Sequence, residues 1–239
     1  MDPYLNPFAP GAGIRPPEIA GRKEFINAAL TSCGRLLRSR AGRPMLLLGL
    51  RGTGKTVLLN EIGRQVAERN FVVSKIESPE NESLAALLYP QMQKALRSLS
   101  TIETAKTVAK NGLNALRRFA SVFKIDVAGV ELSIEPPVGF ADSGNLEIDL
   151  PDLFVALGEA AKAAGKGWIL LIDEVQYLSN KDLSALLVSL HQVNQLELPI
   201  MFVGAGLPLV AKLAGDAKSY AERLFRFCEI GPLNSEDIK

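Results

Sequence analysis

The stretch Met45-Leu46-Leu47-Leu48-Gly49-Leu50-Arg51-Gly52-Thr53-Gly54-Lys55-Thr56-Val57-Leu58-Leu59 decides the fold. Met45–Leu48 is an unbroken apolar run of strand length. The turn after it fits G-x-x-x-x-G-K-[ST], and Val57, Leu58, Leu59, Ile62 and Val66 then recur at helical spacing. Strand, glycine loop and helix, in that order, are the context this motif needs in order to hold phosphate. Glycines let successive backbone N–H groups point inward at phosphate oxygens, and the helix N-terminus adds partial positive charge. Gly49, Arg51, Gly52, Thr53, Gly54, Lys55, Thr56 and Val57 are therefore candidate nucleotide-binding residues. Among them Lys55 is expected to reach the β- and γ-phosphates, and the Thr56 hydroxyl to ligate Mg²⁺.

Further along, Trp168-Ile169-Leu170-Leu171-Ile172-Asp173-Glu174 supplies an apolar strand that ends in two carboxylates. In open α/β sheets that carboxyl edge is where ligands bind. Asp173 is the second candidate metal residue, holding Mg²⁺ through its water shell, and Glu174 the candidate base that polarises the attacking water. A carboxylate directly after the magnesium Asp favours water as acceptor, hence NTP hydrolysis at the β-γ phosphoanhydride bond rather than transfer to a small molecule.

The remaining pattern surrounds these two strands. Arg22 to about Arg40, Ser83–Leu99, Thr101–Phe123, Leu153–Ala164 and Lys181–Asn194 read as helices, with Pro90 a candidate kink and Ser179/Asp182 a capping pair. Phe71–Ile76, Pro199–Val203 and Phe227–Ile230 read as further strands, and Lys124–Ile134 as a hairpin followed by a loop to Asn145. Apolar strands separated by helices mean a parallel sheet covered on both faces, so the fold class is α/β. The expected form is a three-layer P-loop NTPase fold, a parallel sheet between helices, with an inserted helix and β-hairpin.

Composition excludes other classes. The 239 residues are 47% hydrophobic and 22% charged, ordinary for a globular chain, and the net charge is +1. The proline-rich start has no apolar run and no stretch reaches membrane-spanning length, which predicts a soluble cytoplasmic protein with no membrane partner. Cys33 and Cys228 lack metal-ligand spacing and fit unpaired thiols in a reducing compartment. His191 has no second ligand at useful spacing and reads as a polar surface or hydrogen-bonded residue, and Trp168 as core packing.

Neutrality is a sum of opposed segments. Lys55 and Asp173 are 118 residues apart, more than two strand-helix units need, and the surplus falls at about 100–149. Residues 101–125 carry a local +4, and residues 126–152 a local −7. The basic segment 106–124 is either a DNA or protein contact surface or simply neutralised by the acidic run. The cluster Arg35, Arg38, Arg40 and Arg43 has the same two readings.

Taken in order, the motifs resemble the AAA+ ATPases, in particular the prokaryotic branch near the origin-recognition and initiator ATPases. Besides the two segments above, Pro17-Glu18-Ile19-Ala20-Gly21-Arg22 resembles that family's adenine-side motif, and Pro199–Pro208 its sensor 1 strand and turn. Ser219–Phe225 resembles the segment bearing the arginine finger, and Pro232-Leu233-Asn234 the start of the helical lid. The resemblance implies that Ile19 and Ala20 line the adenine and that Arg223 acts catalytically in a neighbouring subunit's site, with Arg226 a competitor. It also implies ATP and Mg²⁺ as cofactors, with ATP/ADP and a homo-oligomer as partners.

The implied organisation is an arm at 1–21, a nucleotide-binding core at 22–231 and the start of a mostly absent lid at 232–239. The chain departs from the family pattern where Gly204-Ala205-Gly206 offers no polar side chain for sensor 1. Backbone groups or Gln176 take that task, or hydrolysis is slow. The leading functional expectation is an ATPase that moves an attached module or partner, on DNA as in the initiators. The alternative is a slow nucleotide-gated signalling switch of the STAND type, and a small-molecule kinase is a distant third.

Overall fold

Successive residues of each central strand divide between two hydrophobic clusters. Met45 and Leu47 pack in one, Leu46 and Leu48 in the other. Ile169 and Leu171 face the first, and Trp168, Leu170 and Ile172 the second. This period-two alternation with both faces apolar identifies a sheet covered on both sides. The computed structural model describes residues 21–125 and 141–232.

The elements run α1 (Lys23–Leu36), β1 (Met45–Leu48), α2 (Lys55–Ala67), β2 (Phe71–Glu77), α3 (Leu84–Ser100), α4 (Lys106–Val122), α5 (Leu146–Ala163), β3 (Gly167–Asp173), α6 (Asn180–Gln195), β4 (Ile200–Gly206), α7 (Leu209–Ala217), α8 (Ala221–Leu224) and β5 (Arg226–Glu229). The sheet has the order β2-β3-β4-β1-β5, and every pairing is parallel. Phe25, Ile26, Leu30 and Leu36 of α1 and Leu58, Leu59 and Ile62 of α2 cover one face; α3 to α7 supply residues to the other. The three-layer α/β architecture read from the sequence is the one observed.

Several boundaries differ from the sequence reading, each for a local reason. Helix α5 begins at Leu146 rather than Leu153, although Pro151 lies inside it. Asn145 caps it by accepting from the Glu147 N–H at 3.0 Å. The buried Asp149 carboxylate accepts from the N–H groups of Ser143 and Gly144, which fixes the turn that leads into the helix. Strand β4 extends through Gly204-Ala205-Gly206, which the sequence reading placed in a turn, because these residues pair with Leu46, Leu47 and Leu48. Helix α1 stops at Leu36, and Arg38 to Arg40 lie beyond it. Ser179 caps α6 as expected, accepting from Asp182 N–H and donating to the Asp182 carboxylate.

The hairpin expected at 124–134 falls almost wholly outside the described residues, as do the arm, Ile19, Ala20 and residues 233–239. Part of the acidic segment has structural work: Asp149 closes its turn and Glu147 pairs with Lys218 at 3.2 Å. On the basic side, Lys106 pairs with Glu103 and Arg117 donates to Asn114. Both cysteines are buried and free, and no described helix is long and apolar enough to cross a membrane. His191 does not stand as an isolated polar residue, because its ring stacks on Tyr220 at 4.5 Å.

Candidate functional site

The order β2-β3-β4-β1-β5 brings two sequence-distant motifs to one edge. Leu48 is level with Gly206 of β4, and Ile172 of β3 is level with Gly204. The loop after β1 and the carboxylates after β3 therefore leave the same carboxyl edge, two strand spacings of about 4.8 Å apart. Tyr177, just after β3, closes the gap by accepting a hydrogen bond from Arg51 at 3.1 Å.

The loop is shaped by its own backbone. Gly52 and Gly54 have φ values of 81° and 84°, a region that costs L-residues energy and glycine little. Gly54 caps α2 without a side chain, leaving the first N–H groups of that helix available to an anion. Lys55 is only 7% exposed, and its ammonium donates to the Leu50 carbonyl at 2.8 Å, so the amine is held over the loop. Thr53 donates to the same carbonyl at 2.9 Å. Thr56 and Val57, in the first turn of α2, are partly buried; Gly49 is buried and Arg51 exposed.

Asp173 closes β3 and is 3% exposed. Its Oδ1 accepts from the Glu174 N–H at 3.0 Å, while Oδ2 accepts no hydrogen bond among the described residues. Ser78, which follows β2, donates its backbone N–H to the Asp173 carbonyl at 3.1 Å, and its buried hydroxyl has no partner among the described residues. A buried carboxylate with no ion-pair partner among the described residues supplies hard oxygens of the kind that suit Mg²⁺ and its waters. Glu174 leaves the strand in the left-handed conformation, φ 55° and ψ 43°, which is uncommon for a non-glycine residue.

Gln176, a candidate for the sensor 1 task, and Tyr177 complete this side. Gln176 donates through Nε2 to Glu174 Oε2 and accepts from the Leu207 N–H at 3.1 Å. Tyr177 carries no motif signal at all, and only the Arg51 contact reveals it.

Arg223 is not brought to this site. It lies on the exposed side of α8, directly before β5, whose first residue Arg226 is level with Met45 at the start of β1. That is the opposite edge of the sheet, about 13 Å away along four strand residues. Arg223 and the Gly49–Thr56 loop thus lie at opposite ends of the strands. Arg226 is exposed at the same edge.

Residues 18–203, more than half of the chain, match the family model described as AAA ATPase domain. Among solved structures the chain is similar to Cdc6p from Pyrobaculum aerophilum, with 15% identity and TM-score 0.56 over 95% of this chain and 50% of that one. It is also similar to the Aeropyrum pernix ORC2 protein in its ADP form, with 14% identity and TM-score 0.56 over 95% of this chain and 53% of that one. The chain spans about half the length of these proteins, and at such identity the likeness is one of fold. Both agree with the resemblance read from the motifs. No curated protein matches the sequence.

Proposed function

We propose, from the premise that this chain belongs to the AAA ATPase domain family, that it binds ATP with Mg²⁺, hydrolyses the β-γ bond and couples nucleotide state to movement of an attached module or partner. The observation that carries this reading is the shared sheet edge, where Gly49–Thr56 and Asp173-Glu174 meet across β4 and are joined by Arg51 and Tyr177. Backbone N–H groups of the loop and of α2 would hold the phosphates, and Lys55 would exchange the Leu50 carbonyl for phosphate oxygens. Thr56 and Asp173 would hold the metal, which when bound neutralises charge on the β- and γ-phosphate oxygens. Glu174 would accept the proton of the attacking water. Ile19 and Ala20 are proposed to line the adenine.

The remote position of Arg223 supports a role in trans, on the nucleotide of an adjoining subunit in a homo-oligomer. The exposed basic residues of α4, Lys106, Lys110 and Arg117, are the proposed contact with DNA or a protein partner.

Phosphate release from ATP by the full-length protein, with and without DNA, tests the reading. Lys55→Ala should abolish nucleotide binding, and Glu174→Gln should leave binding intact while lowering turnover about 10²- to 10⁴-fold. Turnover untouched by Glu174→Gln would rule out the hydrolytic assignment, and turnover indifferent to DNA would remove DNA from it. A second reading, the slow nucleotide-gated switch, draws support from the absence of a polar side chain at the end of β4. It predicts retained ADP and turnover slower than one per minute, on the order of the unassisted GTPase rates of switch proteins.

A further inference from the structure

We propose that Gln176 is the positioning residue of this ATPase, holding Glu174 in place from the 3₁₀ turn after β3 and so doing the work that no side chain of Gly204-Ala205-Gly206 can do. The proposal rests on Glu174 being the base.

Its first support is the chemistry of the two hydrogen bonds. The Leu207 N–H, a pure donor, meets the amide oxygen of Gln176 at 3.1 Å, which fixes which end of the amide faces β4. That orientation turns Nε2, a pure donor, toward Glu174 Oε2, a pure acceptor when ionised. One side chain thus spans from the candidate base to the first residue after β4. With Oε2 engaged, Oε1 is the oxygen left to accept a proton from water.

The second support is steric. A Cβ at position 206 would lie 2.8 Å from Gln176 Oε1 and 2.8 Å from Val210 Cγ2. The missing side chain at the end of β4 is what leaves room for the amide of Gln176; a Cβ there would push its oxygen or the Val210 methyl aside. The glycine that looks like a lost polar group is therefore half of a replacement, and the two positions form one unit although 30 residues separate them.

The third support is the backbone of Glu174 itself. Its left-handed φ of 55° is uncommon for a non-glycine residue and persists only where the surroundings fix it. The Glu174 N–H is tied to Asp173 Oδ1 at 3.0 Å and the carboxylate to Gln176, so both ends of the residue are held. Pre-set orientation of this kind matters because a displacement of about 1 Å at a reacting group can cost about 10² in rate.

The test measures phosphate release and binding of a fluorescent ATP analogue in the full-length protein and five variants. Gln176→Ala should lower kcat about 10- to 100-fold while KM for ATP and analogue affinity stay within about threefold. Added to Glu174→Gln, the same change should cost nothing further, because it acts through a base already removed. Gln176→Glu sets a second carboxylate against the first, so the ascending limb of the pH-rate profile should move to higher pH. Gly206→Ala should lower kcat in the direction of Gln176→Ala.

Unchanged turnover in Gln176→Ala would overturn the proposal. So would a loss of equal size on the Glu174→Gln background, or an unmoved pH profile in Gln176→Glu. If Glu174→Gln itself leaves turnover intact, or the wild-type protein has none, the underlying assignment of the base fails instead and the proposal falls with it. Retained analogue binding excludes misfolding as the cause of a lost rate.

Discussion

Two junctions at the same edge of one sheet are built in opposite ways. Between β1 and α2, everything needed lies within eight consecutive residues, Gly49 to Thr56, and the shaping forces are local: positive φ at Gly52 and Gly54, and an ammonium and a hydroxyl held by the Leu50 carbonyl. Between β3 and β4 the groups come from Asp173, Glu174, Gln176, Gly206 and Leu207, and they meet only because the strands pair in register. The first junction is fixed by backbone conformation and so leaves a sequence signature. The second is fixed by tertiary contact, so a substitution at one member changes what another can do.

This contrast can be broken by experiment, beginning with the largest effect. Gly54→Val puts a β-branched side chain at φ 84°, which costs about 1–3 kcal/mol and distorts the loop. ATP-analogue affinity should fall at least about tenfold, while the melting temperature falls by no more than the roughly 2–4 °C per kcal/mol that this backbone strain alone accounts for, because a Cβ there meets no atom within 4 Å. A large loss of stability with normal affinity would show that the β1–α2 junction is not locally determined.

On the opposite side, Trp168→Phe should cost stability first. Trp168 is fully buried, meets Phe154 edge-on at 5.4 Å and donates Nε1–H to Ser74 of β2 at 2.9 Å. Removing that donor leaves a buried hydroxyl unpaired and should lower unfolding free energy by about 1–3 kcal/mol in urea titrations. An unaltered midpoint would mean that the β2–β3 pairing does not depend on this bond.

A third measurement reads the layer behind β1. Burial pushes the Cys33 thiol from 9.0 up to about 12. The unfolded chain then loses this proton near pH 9 while the folded chain keeps it, so the unfolded state binds fewer protons between pH 9 and 12. Stability from this group is complete below pH 9 and is lost as pH rises through that window, at up to about 1.4 kcal/mol per pH unit. Denaturation series at pH 8 to 10.5 should show this slope, reduced in Cys33→Ala.

The smallest effect belongs to the contact that joins the two junctions. A double-mutant cycle of Arg51→Ala and Tyr177→Phe should return a coupling of about 0.5–1 kcal/mol, since the bond is exposed on one side. Zero coupling in nucleotide affinity would leave the junctions independent.

How much of this was legible in the sequence follows the same division. β1 and β3 were readable because strands buried on both faces are continuous apolar runs, and the candidate residues Gly49 to Val57, Asp173 and Glu174 came with them. The first turns of α5 were missed because Pro151 reads as a breaker, whereas the cap at Asn145 and the Asp149 hydrogen bonds to backbone are visible only in three dimensions. Helix α7 and Tyr177 gave no signal, and the register of β4 hid the strand in what looked like a glycine turn. Arg223 was legible as a candidate, but its distance from its own phosphate loop was not.

By itself the sequence determined the layer order of strand, loop and helix, the candidate loop residues Gly49–Thr56 and the acidic strand end, because apolar period, glycine spacing and residue type are one-dimensional properties. Only the tertiary structure decided that Gln176 fills the space Gly206 leaves, that Arg223 lies at the sheet edge opposite the Gly49–Thr56 loop, and that Glu174 is held at both ends. Those depend on which strands become neighbours and in what register, and neighbours across a parallel sheet are set by the packing of the whole chain rather than by any segment of it.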